Sequence, residues 1–460
     1  MRHSILALFL LLFSLPSLSS LFGKSDNELG VIAVGEAEVV RERIFIVPTA
    51  TQGKGGEMEA SAKKYDDQLV NNFAFYRRFF EVIKAKPSFS KTFQNLGSFD
   101  YSPWVRKSAR YLMGSRLVQK SGKGGKRPPF ELQVKVFDIT QKKEIHSETL
   151  PFPRDEKNRR GITHALSDRI YRSMVKRPSI FGSKIVFVSD VQSTKKRMIK
   201  ELYIMDFDGG RKERLTWHKG IVISPAIDLK RKRVLYSLIR YTRGKRNVNL
   251  RLLNLETKKS RLISARAGIN SGAVFSPNGK SIFLTMGRRG NAEIYEMNLA
   301  TLKTRRVTSH GALDVDPSLN EDGSRMAFLS GRPGKAMIYI ADTDGMEKNV
   351  KRVSYTGQFN ATPRFAPSGR ELVFSSWQDN RFDLYRIDEN GKALARLTRN
   401  FGSNESPSYS LDGEFIVFSS LRPRGRKKAD QNLYIMDRNG DILGAVTKNY
   451  GKCLSPRWSK

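Results

Sequence analysis

The chain ends with the six residues SPRWSK, Ser455 to Lys460, and this stretch decides the fold. Segments of the same type, each with a proline at the matching place, occur several times upstream. They read SPAIDLK at 224–230, DPSLNEDG at 316–323, TPRFAPSG at 362–369 and SPSYSLDG at 406–413. The chain therefore repeats one unit, and its final residues form the first element of such a unit.

Each of these segments opens a unit of about 45 residues. The steps from one anchor to the next are 48, 44, 46, 44 and 49 residues, and Ala273 replaces the proline in one copy. Second elements such as LVFSSW (372–377) and third elements such as DLYRIDENG (383–391) follow, and a short fourth element ends the unit. A fixed period near 45 residues with four strands per unit is typical of a β-propeller.

The two ends of the repeat region complement each other. The first unit begins at KIVFVSD (184–190) without a first element, whereas 455–459 is a surplus first element. Placed before KIVFVSD, the surplus element completes that unit. The sequence therefore predicts a six-bladed β-propeller over 179–460, closed by the strand 455–459, and closure removes the open edges that would otherwise invite aggregation.

The preceding residues predict an α+β domain over 42–178. The apolar residues of 57–83 step by three or four and predict an amphipathic helix, and Ser102 and Pro103 suit the start of a second helix. The remaining elements are a strand in 42–50, a strand around Leu117, strands at 130–138 and 144–152, and a helix over 157–175.

The N-terminal residues MRHSILALFLLLFSLPSLSS have a basic start, a short apolar run and small residues where a peptidase could cut. This layout predicts a Sec-type signal peptide over 1–20 with cleavage near 19–20, and hence export to the periplasm. A signal-anchor helix is the alternative, although the run is short for a bilayer. Residues 21–41, which contain GVIAVGEAEVV, are predicted to form an N-terminal arm.

The net charge is +37, from 82 Lys and Arg against 45 Asp and Glu. Such a surface should attract nucleic acid, anionic lipid or acidic partners. A general bias of the proteome toward Lys and Arg is the other explanation, and the even spread of the charges along the chain favours it. A single cysteine, Cys453, excludes an internal disulfide.

Residue patterns that carry chemistry are scarce. The five histidines are scattered, and neither a nucleophile elbow nor a phosphate-binding glycine loop occurs in its proper context. The stretches DFDGG (206–210) and DTDGM (342–346) slightly resemble calcium loops, but their Asp residues suit turns at strand ends. We therefore predict no catalytic residue, no cofactor and no metal site, and a binding surface formed by the loops around the pore.

The repeat resembles the PD40 repeat of the TolB family. FSPNGKSIFLTM, FAPSGRELVFSS and YSLDGEFIVFSS carry the resemblance best, and the domain plan matches along nearly the whole mature chain. Peptidases of the prolyl oligopeptidase type have similar blades but add a hydrolase domain, for which this chain leaves no room.

The resemblance implies a monomeric, periplasmic, non-enzymatic member of the Tol–Pal system, which acts in outer-membrane integrity and cell division. Its partners would be the peptidoglycan-associated lipoprotein Pal and a TolA-like inner-membrane protein, with no specific nucleic acid. The N-terminal arm, with Val31, Ile32 and Val34, would serve the TolA-like partner. The loops before the first strands would bind the lipoprotein through Ile269, Asn270, Asp314, Asp316, Asn360, Thr362, Asn404, Glu405 and Ser406.

Two other function classes remain open at this point. One is an exported propeller that binds polyanions through its positive charge, with strong salt dependence. The other is a hydrolase, or an accessory of one, that uses the propeller pore.

Overall fold

The computed structural model describes residues 40–53, 55–86, 100–119, 129–242, 245–288, 291–424 and 428–459. The predicted signal peptide and the arm residues Val31, Ile32 and Val34 lie outside these ranges. Within them the chain forms an α+β domain followed by a six-bladed β-propeller, as the sequence predicts. Neither of the two long helices in the described part of the chain has the apolar character that a bilayer span requires.

The α+β domain has one mixed sheet and three helices among its described residues. Its elements are β1 (Glu42–Ile46), β2 (Ala50–Gln52), α1 (Gly56–Ala74), β3 (Phe80–Lys84), α2 (Ser102–Val105), β4 (Ala109–Val118), β5 (Phe130–Asp138), β6 (Lys143–Phe152) and α3 (Glu156–Val175). The sheet order is β3-β1-β4-β5-β6, with β2 beside β4. Helices α1 and α3 bury apolar faces that include Leu69, Phe73 and Ile170.

Two predicted helices are shorter in the structure. The helix predicted over 57–83 ends at Ala74, and Phe80–Lys84 is instead strand β3, paired in parallel with β1. The run from Phe79 to Ile83 is apolar enough to suit either state, and the hydrogen bonds offered by β1 decide for the strand. The helix predicted from Ser102 ends after one turn at Val105, because β4 already begins at Ala109 and pairs with β5.

The propeller consists of six four-stranded antiparallel sheets among the described residues, which we number as blades 1 to 6. Blade 1 contains β30 (Cys453–Trp458), β7 (Lys184–Ser189), β8 (Glu201–Asp206) and β9 (Glu213–Arg214). Blade 2 contains β10 (Ile221–Asp228), β11 (Arg233–Thr242), β12 (Lys245–Asn254) and β13 (Ser260–Ser264). Blade 3 contains β14 (Asn270–Phe275), β15 (Ser281–Arg288), β16 (Asn291–Asn298) and β17 (Thr304–Arg306).

The other three blades repeat this order. Blade 4 contains β18 (Asp314–Leu319), β19 (Arg325–Ser330), β20 (Met337–Asp342) and β21 (Lys351–Arg352). Blade 5 contains β22 (Phe359–Phe365), β23 (Glu371–Gln378), β24 (Arg381–Asp388) and β25 (Ala395–Arg396). Blade 6 contains β26 (Ser403–Tyr409), β27 (Phe415–Arg424), β28 (Lys428–Asp437) and β29 (Ile442–Ala445). The first strand of each blade contacts the first strands of both neighbouring blades, so these strands form the innermost ring.

The last strand closes this ring. Strand β30 pairs with β7, with Trp458 opposite Ile185, and Ser459 N donates to the carbonyl of Lys184. The Trp458 side chain is 3% exposed, and its Nε1 donates to Ser183 Oγ at 2.7 Å. Its ring stacks on Phe415 of blade 6, with 6.5 Å between centroids. The terminal tryptophan thus joins blade 1 to blade 6.

Each first strand has a bulge at the proline position. The residues just before the prolines, and before Ala273, have left-handed backbone with φ between +48° and +62°. They are Ser224, Gly272, Asp316, Thr362, Ser406 and Ser455. The pairing register with the second strand shifts at each of these sites. A proline lacks an N–H group, so it fits a bulge where the ladder is interrupted.

The α+β domain packs on one face of the propeller. This turn face carries the turns between first and second strands and those between third and fourth strands, among them Asp412 and Phe207. Tyr76 Oη donates to Asp412 Oδ2 at 2.5 Å and accepts from Ile180 N at 2.9 Å, and Phe75 contacts Phe207. One buried cluster runs from the α+β sheet into blades 1 and 6, so the two parts share a core.

Candidate functional site

The face opposite the α+β domain is the candidate site, and we call it the loop face. It consists of the connections 217–220, 265–269, 309–313, 355–358, 399–402 and 448–452, together with the second-to-third-strand hairpins. Because every blade has the same strand order, these connections all lie at the same end of the innermost ring. Within Arg41–Lys460, the described α+β residues contact the turn face and leave the loop face uncovered.

A residue at the mouth of the pore, four positions before the proline position, either starts each first strand or directly precedes it. We call these the entry residues, and from blade 1 to blade 6 they are Lys452, Ile221, Ile269, Leu313, Phe359 and Ser403. The second strand of the same blade fixes their backbone: Gly287 N donates to the Ile269 carbonyl and Gly331 N to the Leu313 carbonyl, both at 2.9 Å. The entry residues are therefore preorganised by the blades.

Seven apolar side chains among the described loop-face residues are between 37% and 67% exposed. Three are the entry residues of blades 3, 4 and 5, two are aromatic residues in the connections and two lie in the blade 1 hairpin: Ile269, Leu313, Phe359, Trp217, Tyr355, Val191 and Met198. Glycines 287 and 331 stand opposite Ile269 and Leu313 and offer no side chain to cover them. We call the three entry residues Ile269, Leu313 and Phe359 the apolar crescent. An exposed group of this kind marks an interaction surface.

Four of the nine predicted site residues are buried inside the blades, namely Asn270, Asp314, Asn360 and Asn404. They follow the entry residues directly, and the three Asn side chains bind the preceding blade or the connection from it, whereas Asp314 binds its own blade. Asn270 Nδ2 donates to the carbonyls of Val248 (2.9 Å) and Arg266 (2.7 Å), and Asn360 Nδ2 donates to Ser354 Oγ and the Thr356 carbonyl. Asp314 accepts from Arg332 at 2.8 Å. These four side chains hold the connections in shape and do not reach the surface.

Four other predicted residues line the pore at and beside the bulges. Arg364 Nη2 donates to Asp316 Oδ1 at 2.9 Å, an ion pair between neighbouring blades. Thr362 Oγ1 lies 3.0 Å from Ser375 Oγ, and the same serine accepts from Ser406 N at 3.2 Å. Burial raises the pKa of Glu405, and among the described residues this carboxylate has no ion-pair partner. Of the nine predicted residues, only Ile269 belongs to the apolar crescent.

The nine predicted residues do not include Leu313, although the sequence predicts that the loop 313–316 faces the partner, and the prediction missed Phe359 and a set of buried polar groups beneath the crescent. In blades 1, 3 and 5 a buried acid at the start of the third strand accepts from a threonine and an arginine. In blade 3, Thr308 Oγ1 donates to Glu293 Oε2 at 2.6 Å and Arg306 Nη2 to Glu293 Oε1 at 2.7 Å. The Thr or Ser that recurs at the end of each fourth element in the sequence could have indicated these buried hydrogen bonds to the acids.

One cluster at the edge of the turn face has residues that could hold a metal ion. Ligand atoms of His164, Asp206 and Asp208 lie within 4.8 Å of one another. Burial alone would raise the pKa of Asp206, but hydrogen bonds from His164, Arg211 and Lys184 outweigh it and hold the pKa well below its usual range. Arg160 pairs with Asp208. Asp206 and Asp208, the carboxylates of the calcium-like stretch 206–210, thus form ion pairs that connect α3 to blade 1.

The fold places the chain among β-propellers that carry an N-terminal α+β domain. The family model described as the TolB beta propeller domain, PD40, matches residues 171–460, more than half of the chain. The protein therefore belongs to the TolB β-propeller family.

Individual relatives agree with this assignment. The Tol-Pal system protein TolB of Rickettsia peacockii is 27% identical over 192 residues, which are 42% of this chain and 40% of the relative. That of Vesicomyosocius okutanii is 24% identical over 262 residues, 56% of this chain and 54% of the relative. The chain thus spans about half the length of the curated relatives it matches. The crystal structure of TolB from Acinetobacter baumannii has the same fold, with a TM-score of 0.72 at 22% identity, covering 92% of this chain and 98% of that one.

Proposed function

We propose that the protein is a periplasmic, non-enzymatic adaptor of the Tol-Pal system. Its loop face binds a peptidoglycan-associated lipoprotein, and the complex contributes to outer-membrane integrity and to constriction during cell division. The observation that carries the proposal is the apolar crescent, Ile269, Leu313 and Phe359, at the pore mouth on the face that the α+β domain leaves uncovered. Family membership and the names of the relatives support it.

The pore contributes polar contacts in this proposal. Asp316, Thr362, Glu405 and Ser406 lie below the crescent, where a side chain of the partner that enters the pore would meet them. Glu405 is the strongest candidate, because its carboxylate is partly buried without a cation beside it in the described structure. A donor from the partner would relieve the cost of that burial.

The N-terminal arm provides the second contact of the proposed adaptor. Val31, Ile32 and Val34 would bind a TolA-like inner-membrane protein, and the mature protein would act as a monomer that associates with membranes only through its partners. Removal of residues 21–40 should abolish capture of the TolA-like protein while leaving lipoprotein binding intact. Loss of both interactions, or of neither, would contradict separate sites.

The lipoprotein contact is tested with two leucine variants. Leu313 on the loop face is 45% exposed and Leu394 on the turn face is 46% exposed, so Leu313→Ala and Leu394→Ala remove equal side chains of equal exposure. Affinity for the purified soluble domain of the lipoprotein is measured by calorimetry. We expect Leu313→Ala to weaken binding about tenfold, about 1.4 kcal/mol, and Leu394→Ala to leave it unchanged. Equal effects of the two variants would contradict the proposed face.

A further inference from the structure

The positive charge of the propeller is concentrated in one blade. Residues 221–266, which begin at the entry residue of blade 2, contain 13 Lys and Arg against 2 Asp and Glu. Residues 313–358, the stretch of equal length that begins at the entry residue of blade 4, contain 6 Lys and Arg against 7 Asp and Glu. A general bias toward Lys and Arg would affect both stretches alike. The even spread of charge inferred from the sequence is therefore wrong for the propeller, and the excess in blade 2 requires a local explanation.

Four turns on the turn face of blades 2 and 3 expose seven cations and one acid. The turns are 229–232 and 255–259 in blade 2 and 276–280 and 299–303 in blade 3. We call their cations the basic turn surface: Lys230, Arg231, Lys232, Lys258, Lys259, Lys280 and Lys303. The one acid, Glu256, pairs with Lys232, and two acids outside the turns pair with Arg231 and Lys258. The other four lysines form no ion pair with any described residue, so a net positive charge faces solvent.

Hydrogen bonds hold the four turns together as one surface. Leu255 N donates to the Lys232 carbonyl at 2.7 Å and Leu299 N donates to the Lys280 carbonyl at 3.0 Å, which joins the two turns within each blade. Arg231 Nη2 donates to the Asn278 carbonyl at 2.7 Å and so joins blade 2 to blade 3. The backbone of the basic turn surface is therefore fixed, while the unpaired lysine side chains extend from it into solvent.

The chemistry of this surface defines its partner. We propose that the basic turn surface binds an acidic, flexible protein segment that presents several Asp or Glu residues in an extended chain. Neighbouring strands lie about 4.8 Å apart, so the two turns of one blade are about 10 Å apart. An extended chain advances about 3.3 Å per residue, so acidic residues about three positions apart would reach both turns. This site goes beyond the proposed adaptor function, because it lies on the turn face and not on the loop face.

Other anionic partners fit this surface less well. The four turns expose no large apolar side chain, whereas a folded protein partner is usually held by an apolar centre of its interface. They contain no aromatic residue, on which the bases of single-stranded nucleic acid would stack. Duplex DNA is stiff over about 50 nm and a bilayer is flat, so neither follows the curved row of turns beside the α+β domain, which stands on the same face over blades 1 and 6. A flexible chain avoids that obstacle.

The test reverses two charges at each of two places. The double variant Lys259→Glu, Lys280→Glu changes one unpaired lysine in each blade, and Lys142→Glu, Lys143→Glu changes two exposed lysines between β5 and β6 by the same amount. The probe is a fluorescein-labelled peptide of about 12 residues that repeats Glu-Ser-Gly, and a peptide that repeats Gln-Ser-Gly is its neutral counterpart. Binding to the full mature protein is measured by fluorescence anisotropy at about 0.05 M and about 0.5 M salt. Duplex DNA and vesicles of anionic phospholipid are tested in parallel, and thermal melts verify that both variants are folded.

We expect the turn-face variant to bind the Glu peptide about tenfold more weakly at low salt, and the difference to fade at high salt. The control variant should stay within about twofold of the unmodified protein. The milder variant Lys259→Gln, Lys280→Gln should bind about threefold more weakly, because it removes two positive charges without adding negative ones.

Equal weakening in the turn-face and control variants would overturn the proposal, since binding would then follow net charge alone. Failure of the unmodified protein to bind the Glu peptide, or equal binding of the Gln peptide, would overturn it as well. Binding of DNA or vesicles that is lost in the turn-face variant while peptide binding is unchanged would assign the surface to that polyanion instead. Each of these outcomes leaves the adaptor function standing, because the lipoprotein is proposed to bind the loop face.

Discussion

Replacement of Trp458 by alanine tests the closure of the ring. The side chain is 3% exposed and packs between blade 1 and Phe415 of blade 6. Loss of a buried tryptophan costs about 3–5 kcal/mol, and the hydrogen bond from Nε1 to Ser183 Oγ disappears as well, which adds about 1 kcal/mol. We therefore expect the free energy of unfolding to fall by about 4–6 kcal/mol.

The exposed Trp217 provides the matched control. Its side chain is 60% exposed in a loop-face connection, so Trp217→Ala should change the free energy of unfolding by about 0.5 kcal/mol or less. Urea unfolding followed by far-ultraviolet circular dichroism compares both variants with the unmodified protein. With a slope near 3 kcal/mol per M, the Trp458 variant should unfold at a urea concentration lower by more than about 1 M.

Because one buried cluster joins the α+β sheet to blades 1 and 6, the lost stability should appear in a single transition. The milder variant Trp458→Phe keeps an aromatic ring in place and should lose about half as much free energy of unfolding. It provides a second measurement if Trp458→Ala fails to fold. Equal losses for Trp458→Ala and Trp217→Ala, or a loss below about 1 kcal/mol for Trp458→Ala, would refute the reasoning.

Three further predictions concern the pore ring, the domain contact and pH. Gly272→Ala should lower the free energy of unfolding by about 1 kcal/mol in urea titrations, because the φ of +62° at Gly272 disfavours a Cβ. Gly311 has open space around it, so Gly311→Ala should leave the free energy of unfolding unchanged. Tyr76→Phe removes the hydrogen bond to the buried Asp412 and should cost about 1–3 kcal/mol by the same measurement; an unchanged midpoint would contradict that contact. Burial raises the pKa of Asp66 from 3.8 to about 6, so between these two values the folded state binds more protons than the unfolded state. The free energy of unfolding should therefore fall as pH rises from about 4 to about 6 and be constant above. Asp66→Asn should remove this pH dependence from thermal melts across that range.

The sequence was most informative where the fold repeats itself. Regular spacing of the prolines and an incomplete unit at each end of the repeat region predict six blades, and the structure has them among its described residues. This succeeds because every blade must present the same bulge and the same apolar strands to its neighbours. By contrast, Phe80 fits the periodicity of the preceding helix yet lies in β3, since a parallel pairing with β1 is a tertiary contact that local periodicity does not contain.

The candidate site was less predictable, because polar residues near a pore mouth look like surface residues. Asn270 and Asn360 are instead buried and hold the connections through their side-chain amides. The exposed residues are their apolar neighbours Ile269 and Phe359, which the alternation of apolar and polar residues in a strand would alone place in the interior of the blade. The bulge explains the difference, since one extra residue per first strand shifts which side chains face the pore.

Site-specific photocrosslinking in the native envelope tests the central claim most directly, that the loop face binds the lipoprotein. A photoreactive amino acid is placed at Ile269 on the loop face in one variant and at Met346, 60% exposed on the turn face, in another. The account predicts that a peptidoglycan-associated lipoprotein, identified by mass spectrometry, is crosslinked from position 269 and not from position 346. Crosslinking of that lipoprotein from 346 alone, or from neither position, would contradict it.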